Sequence, residues 1–132
     1  MTEIEENNKL IVEFLEYRRF TKKIELGKSE PTDNILIMDN WYKVGDLEYQ
    51  PLSMKYHKSW DWLIPVVEKI ESLGYSTELY YNHIRNYNLF TITNKNLPIG
   101  GIAACRTTSK IEAVYNTVVL FIKWYNKHGK EN

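Results

Sequence analysis

Residues Ser59–Leu73 read SWDWLIPVVEKIESL, and they predict the element on which the rest of the chain packs. Apolar residues recur here at the three- and four-residue intervals of one helix face, which predicts a helix in mid-chain. Asp61 is expected to cap this helix, so that Pro65 lies in the first turn, where a missing N–H costs least. Gly74 is well placed just beyond its end. The predicted apolar face consists of Trp62, Leu63, Val66, Val67, Ile70 and Leu73.

Two further helices are predicted, one towards each end of the chain. Residues 3–16 are amphipathic at helical spacing, with Thr2 as the expected N-cap. The last helix begins with Ser109 and Glu112 in the capping-box pattern S-x-x-E, and Gly129 is expected to end it. Its predicted apolar stripe consists of Ile111, Val114, Tyr115, Val118, Val119, Ile122 and Tyr125.

The region before the central helix favours strands joined by turns. Gly27–Asn34 is a loop by composition. Ile35–Val44 opens with the apolar run ILIM, typical of a buried strand, and Asp39-Asn40 is expected to turn the chain into a second strand. Gly45-Asp46 is another turn signal, and Leu47–Tyr56 is expected to be irregular or weakly extended.

Three more strands are predicted between the central and last helices, at Tyr75–Tyr81, Leu89–Thr93 and Ile99–Thr107, with Phe90 and Ile92 facing inward. Strands therefore come in runs, without single alternation with helices. This order favours an α+β sandwich in which about three helices pack on a mostly antiparallel sheet. The length of 132 residues fits one domain, residues 1–132.

The composition argues against several classes of partner and site. Lys plus Arg and Asp plus Glu both number 17, so the net charge gives no general attraction to nucleic acid or to an anionic membrane. Cys105 is the single cysteine, which excludes an internal disulfide and a cysteine-based zinc cage. No apolar run approaches the roughly 20 residues that span a bilayer. A cytoplasmic location is therefore expected.

Residues capable of catalysis are present, but they do not form a recognisable pattern. Cys105 could act as a nucleophile with His57 or His83 as its base, although its setting in IAAC is typical of a buried structural cysteine. The three histidines, which include His128, lack the helical spacing of a metal motif. Gly100-Gly101 lacks the Lys-Ser/Thr of a phosphate loop and is better explained by close packing. We therefore predict no enzyme activity, metal or cofactor.

One dense basic cluster lies after the first helix. It consists of Arg18, Arg19, Lys22 and Lys23, with aromatic residues interleaved. The surrounding stretch, Tyr17–Leu26, fits either a continuation of the helix or a strand, and both interpretations stay open. Such a cluster could contact phosphates or an acidic protein surface, and the simpler alternative is an ordinary solvated face.

A second cluster lies at a predicted strand end and its loop. It consists of Tyr80, Tyr81, His83, Arg85 and Tyr87. Tyrosine and arginine dominate binding energy at many interfaces, and loops on a rigid scaffold often carry function. We predict that both clusters bind a partner. The alternative for this second cluster is that its side chains are ordinary surface residues of a sheet. The tryptophans Trp60 and Trp62 are assigned to the helix instead, with Trp62 in the core and Trp60 partly exposed.

Two segments carry a family resemblance. YHKSWDWLIPVVEKIESLGY (Tyr56–Tyr75) followed by SKIEAVYNTVVLFIKWYN (Ser109–Asn126) resembles the phage αβα-sandwich domain family of small bacteriophage and Bacteroidetes-type proteins. NKLIVEF (Asn8–Phe14) is similar to the leading helix of that family. The resemblance implies a helix-and-sheet sandwich and a phage or mobile-element setting, and it brings no catalytic residues.

That setting implies a function class. Small non-enzymatic proteins of mobile elements often antagonise host defence, so we expect a host protein or ribonucleoprotein as partner, such as a CRISPR nuclease or its guide-RNA complex. This is an association of setting, separate from residue chemistry. The alternative is a protein that directly binds and sequesters nucleic acid or a small nucleotide. No membrane partner is expected.

Overall fold

The first helix, α1 (Glu3–Phe14), begins where the sequence predicts. The structure is a computed structural model of the chain that describes residues 2–17, 19–25, 35–94 and 101–128, with the backbone alone at 20–25 and 35–40. The Thr2 hydroxyl accepts a hydrogen bond from the backbone N–H of Glu5 at 3.2 Å, and Glu5 Oε1 accepts from the Thr2 N–H at 3.3 Å. This capping box satisfies donors that a helix start leaves free. The helix ends before the predicted residue 16, because Glu16 takes a left-handed backbone conformation with φ 63°.

Strands β1 (Arg19–Glu25), β2 (Ile35–Val44) and β3 (Leu47–Tyr49) form a first antiparallel sheet in the order β1-β2-β3. Within the ambiguous stretch after α1, Arg19–Glu25 is therefore a strand. The Gly45-Asp46 turn between β2 and β3 is confirmed, with Gly45 at φ +64°. The predicted loop Gly27–Asn34 lies outside the described residues.

The turn predicted at Asp39-Asn40 is wrong, because β2 runs through it without a break. Phe20 of β1 pairs with Trp41, and Lys22 pairs with Met38. One residue of β1 therefore opposes both Asp39 and Asn40, which is a β-bulge in β2. The two turn-forming residues disturb the pairing register, but the flanking ladder keeps the chain extended.

A buried asparagine joins α1 to the turn that follows β3. Asn8 is fully buried on the inner face of α1, and its Nδ2 donates to the carbonyl oxygens of Pro51 at 2.9 Å and Met54 at 3.1 Å. Pro51 opens a short 3₁₀ turn, Pro51–Ser53, within the stretch that the sequence predicts as irregular. Buried apolar side chains around these contacts are Ile11, Val12, Phe14, Tyr42 and Met54.

The central helix is α2 (Trp60–Ser72), and its start differs from the prediction. Ser59 occupies the N-cap position, and its carbonyl accepts from the N–H groups of Trp62 and Leu63. Asp61 therefore lies in the first turn, where it complements the helix dipole without capping it. Pro65 lies inside the helix, beyond the first turn, so that prediction is also wrong. Gly74, at φ +101°, follows the helix end as predicted.

A second antiparallel sheet follows, with β4 (Tyr75–Asn82), β5 (Tyr87–Asn94) and β6 (Gly101–Thr107) in that order. The last helix, α3 (Lys110–His128), packs on β5 and β6. Phe90 and Ile92 are buried beneath it as predicted, and Thr117 Oγ1 lies 3.2 Å from the Phe90 carbonyl oxygen. The predicted helix end at Gly129 lies outside the described residues. Buried α3 side chains include Val114, Tyr115, Val118, Val119, Phe121 and Ile122.

The predicted α+β class is confirmed, since the described residues form three helices and antiparallel strands. Those strands divide into two separate three-stranded sheets. The chain also divides into two compact units, Met1–Met54 and Lys55–Asn132. The prediction of a single domain over residues 1–132 stays a prediction.

Candidate functional site

The second predicted cluster lies on the hairpin formed by β4 and β5. Asn82 pairs with Tyr87, and residues 83–86 form the loop between them. The Asn82 Oδ1 accepts from the backbone N–H groups of Ile84 and Arg85, both at 3.0 Å. The Tyr81 hydroxyl donates to Asn86 Oδ1 at 3.0 Å, and Asn86 adopts a left-handed conformation at φ 53°. Side chains of the strand ends therefore hold the loop in place.

Strand register brings a third strand into this cluster. Tyr80 pairs with Leu89, and Leu89 pairs with Arg106 of β6. These three residues form a row across the sheet. Because Phe90 is buried beneath α3 and neighbouring strand residues point to opposite faces, the row lies on the face turned away from α3. We call this side of the second sheet the open face.

Tyr87 and Arg106 are in contact on the open face. The Arg106 guanidinium carbon lies 4.9 Å from the centroid of the Tyr87 ring, which is a cation–π arrangement. Tyr80 is diagonal to Tyr87 across the hairpin, a relation that separates residues by roughly 7–8 Å. Tyr80 is 50% exposed, and Arg106 is also exposed. The open face therefore presents a tyrosine beside an arginine–tyrosine pair.

The structure separates Tyr81 from this group. It precedes Asn82 and follows Tyr80, so it lies on the α3 side of the sheet. Lys110, the first residue of α3, has its Nζ 5.9 Å from the Tyr81 ring centroid. The sequence cluster is thus divided between the two faces, and each face holds a tyrosine beside a cation.

The loop presents exposed side chains at the end of the hairpin. His83, Ile84 and Arg85 are all exposed, and Ile84 is 82% exposed. Ile84 is therefore an apolar side chain presented to solvent by a loop whose backbone is hydrogen-bonded. We call the open-face group and this loop together the hairpin surface; it consists of Tyr80, His83, Ile84, Arg85, Tyr87, Leu89 and Arg106.

Positive charge on and beside the hairpin surface is not neutralised locally. In the part of the chain that the structure describes, no carboxylate lies within ion-pair distance of Arg85, Arg106 or Lys110. Residues 55–132 contain ten Lys and Arg against six Asp and Glu, whereas residues 1–54 contain seven against eleven. The zero net charge of the chain thus conceals an excess of positive charge in the unit that bears the hairpin.

The basic cluster after α1 is only partly described. Arg18 lies outside the described residues. Arg19 is exposed and pairs with Tyr42 across the first sheet. Lys22 and Lys23 lie in β1, which the structure describes there by its backbone. Arg19, Lys22 and Lys23 therefore belong to a strand, and the role of the cluster in binding stays a prediction.

Tyr42 beside this cluster has a strongly perturbed hydroxyl. Burial, together with the negative charge of Glu13, raises the pKa of Tyr42 to about 12, and the charge of Arg19 opposes that rise. The Tyr42 hydroxyl donates to Glu13 Oε1 at 3.3 Å. The neutral phenol is thus a structural hydrogen-bond donor to α1.

The candidates for catalysis lie on three different segments of the second unit. Cys105 is half-buried in β6 opposite Phe90, which is less buried than its sequence setting indicates. His57 packs edge-on against Tyr115, with ring centroids 6.0 Å apart. His83 lies in the hairpin loop. Among the described residues, no hydrogen bond joins Cys105 to either histidine, and no group of three metal-binding side chains is present.

Of the two tryptophans of α2, Trp62 is less deeply buried than the sequence predicts. Trp62 is half-buried, with its ring 5.1 Å from that of buried Tyr56 in an edge-on contact. Trp60 is 39% exposed, as expected from its position beside the apolar face. Trp60 therefore provides an exposed aromatic side chain that is not part of the hairpin surface.

Three contributors escaped the sequence prediction. Arg106 and Lys110 are more than 15 residues away from Tyr87 along the chain; strand register brings Arg106 to the hairpin, and the start of α3 brings Lys110 to Tyr81. Ile84 is an apolar residue within a polar loop, and no sequence pattern marks it as a binding residue. The sequence does carry a signal for Arg106. Ala103 and Cys105 are apolar and share one face of the strand, so Arg106 belongs to the opposite, outer face.

Comparisons with models of known protein families, with curated proteins and with solved structures gave no match. In the described part of the chain, no helix has both the length and the apolar character needed to cross a membrane.

Proposed function

We propose that this chain is a non-enzymatic binding protein that uses the hairpin surface to occupy a macromolecular partner. The observation that carries the proposal is the row of Tyr80, Leu89 and Arg106 on the open face, with Tyr87 against Arg106. Tyrosine and arginine supply large contact areas and directional hydrogen bonds at interfaces. The hydrogen-bonded loop reduces the entropy lost when a partner binds.

The setting of the partner follows from the sequence resemblance alone. A protein of phage or mobile-element type that binds a host macromolecule is well suited to block a defence complex. We therefore propose an RNA-guided nuclease of a bacterial defence system, or its RNA-loaded form, as the partner class. The exposed aromatic and basic side chains of the hairpin surface would suit a ribonucleoprotein, which offers both acidic and base-stacking contacts.

The test is direct binding to a purified RNA-guided nuclease, with and without guide RNA, measured by biolayer interferometry. The double variant Tyr80→Ala/Arg106→Gln is expected to weaken binding at least tenfold, since exposed Tyr and Arg anchors carry much of such binding energy. Inhibition of target cleavage should fall in parallel.

Trp60→Ala/Lys123→Gln is the matched control, because it removes an exposed aromatic ring and an exposed cation from the same unit. It should bind as the unmodified chain does. The proposal fails if the two double variants lose binding equally. Charge reversal at Arg19, Lys22 and Lys23 would reveal separately whether the basic cluster after α1 takes part.

A further inference from the structure

We propose that the open face binds single-stranded nucleic acid, with bases stacked on Tyr80 and on the Arg106–Tyr87 pair. This inference rests on the proposed binding function and names the chemistry of its partner. Aromatic rings exposed on a sheet provide stacking platforms for unpaired bases, and an arginine guanidinium plane does the same. Tyr80 and Tyr87 lie diagonally across the hairpin, so two bases can be received side by side.

The cations are placed for the backbone of such a strand. Arg85 lies in the loop at the end of the hairpin and Arg106 lies on the open face, whereas Lys110, beside Tyr81, belongs to the opposite face and takes no part. Neither arginine has an ion-pair partner among the described residues. Phosphates would supply the missing negative charges, and binding would release the counterions that condense on nucleic acid.

The rest of the open face leaves space around the exposed rings. Its other positions include the small or uncharged residues Ser76, Thr91 and Ala104 and one carboxylate, Glu78. Small residues between stacking platforms leave space for sugars and phosphates, and phosphates should lie away from Glu78, because like charges repel.

A single strand fits this surface better than a duplex. In a duplex both faces of each base are already stacked, so ring platforms find no free base. Sequence preference should be weak, because every base has a flat face. Leu89 lies between Tyr80 and Arg106 in the row and provides an apolar contact surface for a base.

The experiment measures fluorescence anisotropy of labelled oligouridine and oligothymidine with the whole chain at about 50 mM salt. A self-complementary duplex and unlabelled inorganic polyphosphate serve as competitors. We expect the single strands to bind and the duplex to compete poorly. Tyr80→Ala should weaken binding roughly tenfold, whereas Tyr80→Phe should keep it, because stacking needs the ring and not the hydroxyl. Trp60→Ala should have no effect.

Tyr80 is half exposed, so its variants should keep the fold, and equal urea midpoints would establish this. The inference is overturned if no oligonucleotide binds, if polyphosphate competes as well as oligouridine, or if Tyr80→Phe loses as much affinity as Tyr80→Ala. If oligonucleotides fail but a purified nuclease still depends on Tyr80 and Arg106, the partner is a protein surface and the proposed binding function stands. If both fail, neither proposal survives.

Discussion

Asn8 of α1 is a polar residue that is fully buried, so its amide group needs hydrogen-bond partners inside the protein. Its Nδ2 group donates to the carbonyl oxygens of Pro51 and Met54, more than 40 residues further along the chain. The Pro51 carbonyl oxygen also accepts from the Met54 N–H within the 3₁₀ turn, and Asn8 adds a second donor there and one to the Met54 carbonyl oxygen. A buried asparagine in an amphipathic helix is thus explained by a distant partner.

Asn8→Ala should lower the free energy of unfolding by about 1–3 kcal/mol, because it removes two buried hydrogen bonds and leaves the Met54 carbonyl oxygen without the Asn8 donor. Urea denaturation followed by circular dichroism measures the change. Asn7→Ala is the control, since Asn7 is the neighbouring helix residue and is only half-buried. An equal loss in both variants would contradict the role given to the Asn8 amide.

His57 makes the second prediction at the residue scale. Burial, followed by the positive charge of Lys58, lowers the pKa of His57 below its usual value of about 6.5. The folded state therefore binds fewer protons than the unfolded state. Stability is retained above about pH 6.5 and falls as the pH drops towards the folded-state pKa.

We expect the urea midpoint to fall between pH 7.5 and pH 5.5, and His57→Phe to reduce that fall because the ring against Tyr115 can no longer be protonated. His83→Gln changes an exposed histidine and should leave the fall unchanged. A pH dependence that persists in His57→Phe would assign it to another group.

Residue-scale features were predictable where the physics is local. Thr2 and Glu5 lie three residues apart, so the pattern that identifies their capping box also contains both partners. Asn8 has its partners in another segment, and no local pattern marks it. The buried faces of α3 and β5 were predictable for the same reason as the cap, because periodicity is written in neighbouring residues.

At the scale of elements, α2 shows how a correct helix prediction places its start wrongly. Asp61 is a strong cap by type, but the Ser59 carbonyl already accepts two helical hydrogen bonds. The backbone therefore becomes helical before Asp61, and Pro65 falls in the helix interior. The bulge at Asp39-Asn40 shows the same effect in a strand, since pairing with β1 overrides the local turn preference of these two residues.

Pro65→Ala should stabilise the chain. Proline in a helix interior lacks an N–H and costs up to about 3 kcal/mol relative to alanine, part of which is offset by its restricted unfolded state. Pro65 is exposed, so the change removes no core packing. We expect the free energy of unfolding to rise by roughly 1–2 kcal/mol in urea titrations.

Glu68→Ala changes an exposed residue of the same helix and should shift the urea midpoint little. A destabilised Pro65→Ala variant would show that the proline is required for the path of α2. Because α2 contacts β4, partner binding by the hairpin surface should then also be measured in Pro65→Ala.

At the scale of the whole molecule, the charge balance hides an asymmetry between the two units. The zero net charge led to the expectation that nucleic acid has no general attraction to the chain. That expectation concerns the long-range field. Local binding depends on which cations lie close together in the fold, and the pairing of strands determines this. The hairpin tyrosines were therefore predictable as a cluster, but their arginine partner on β6 was not.

The salt dependence of oligonucleotide binding tests this local view. If Arg85 and Arg106 each neutralise one phosphate, log affinity should fall against log salt with a slope of about −1.4 for a single strand. Replacing either of them by glutamine should reduce the steepness of the slope by about 0.7. Lys123→Gln is the matched control, because Lys123 is an exposed cation of α3, which packs on the opposite face of the sheet. A slope that changes equally in the control would mean that total charge, and not this group of cations, governs binding.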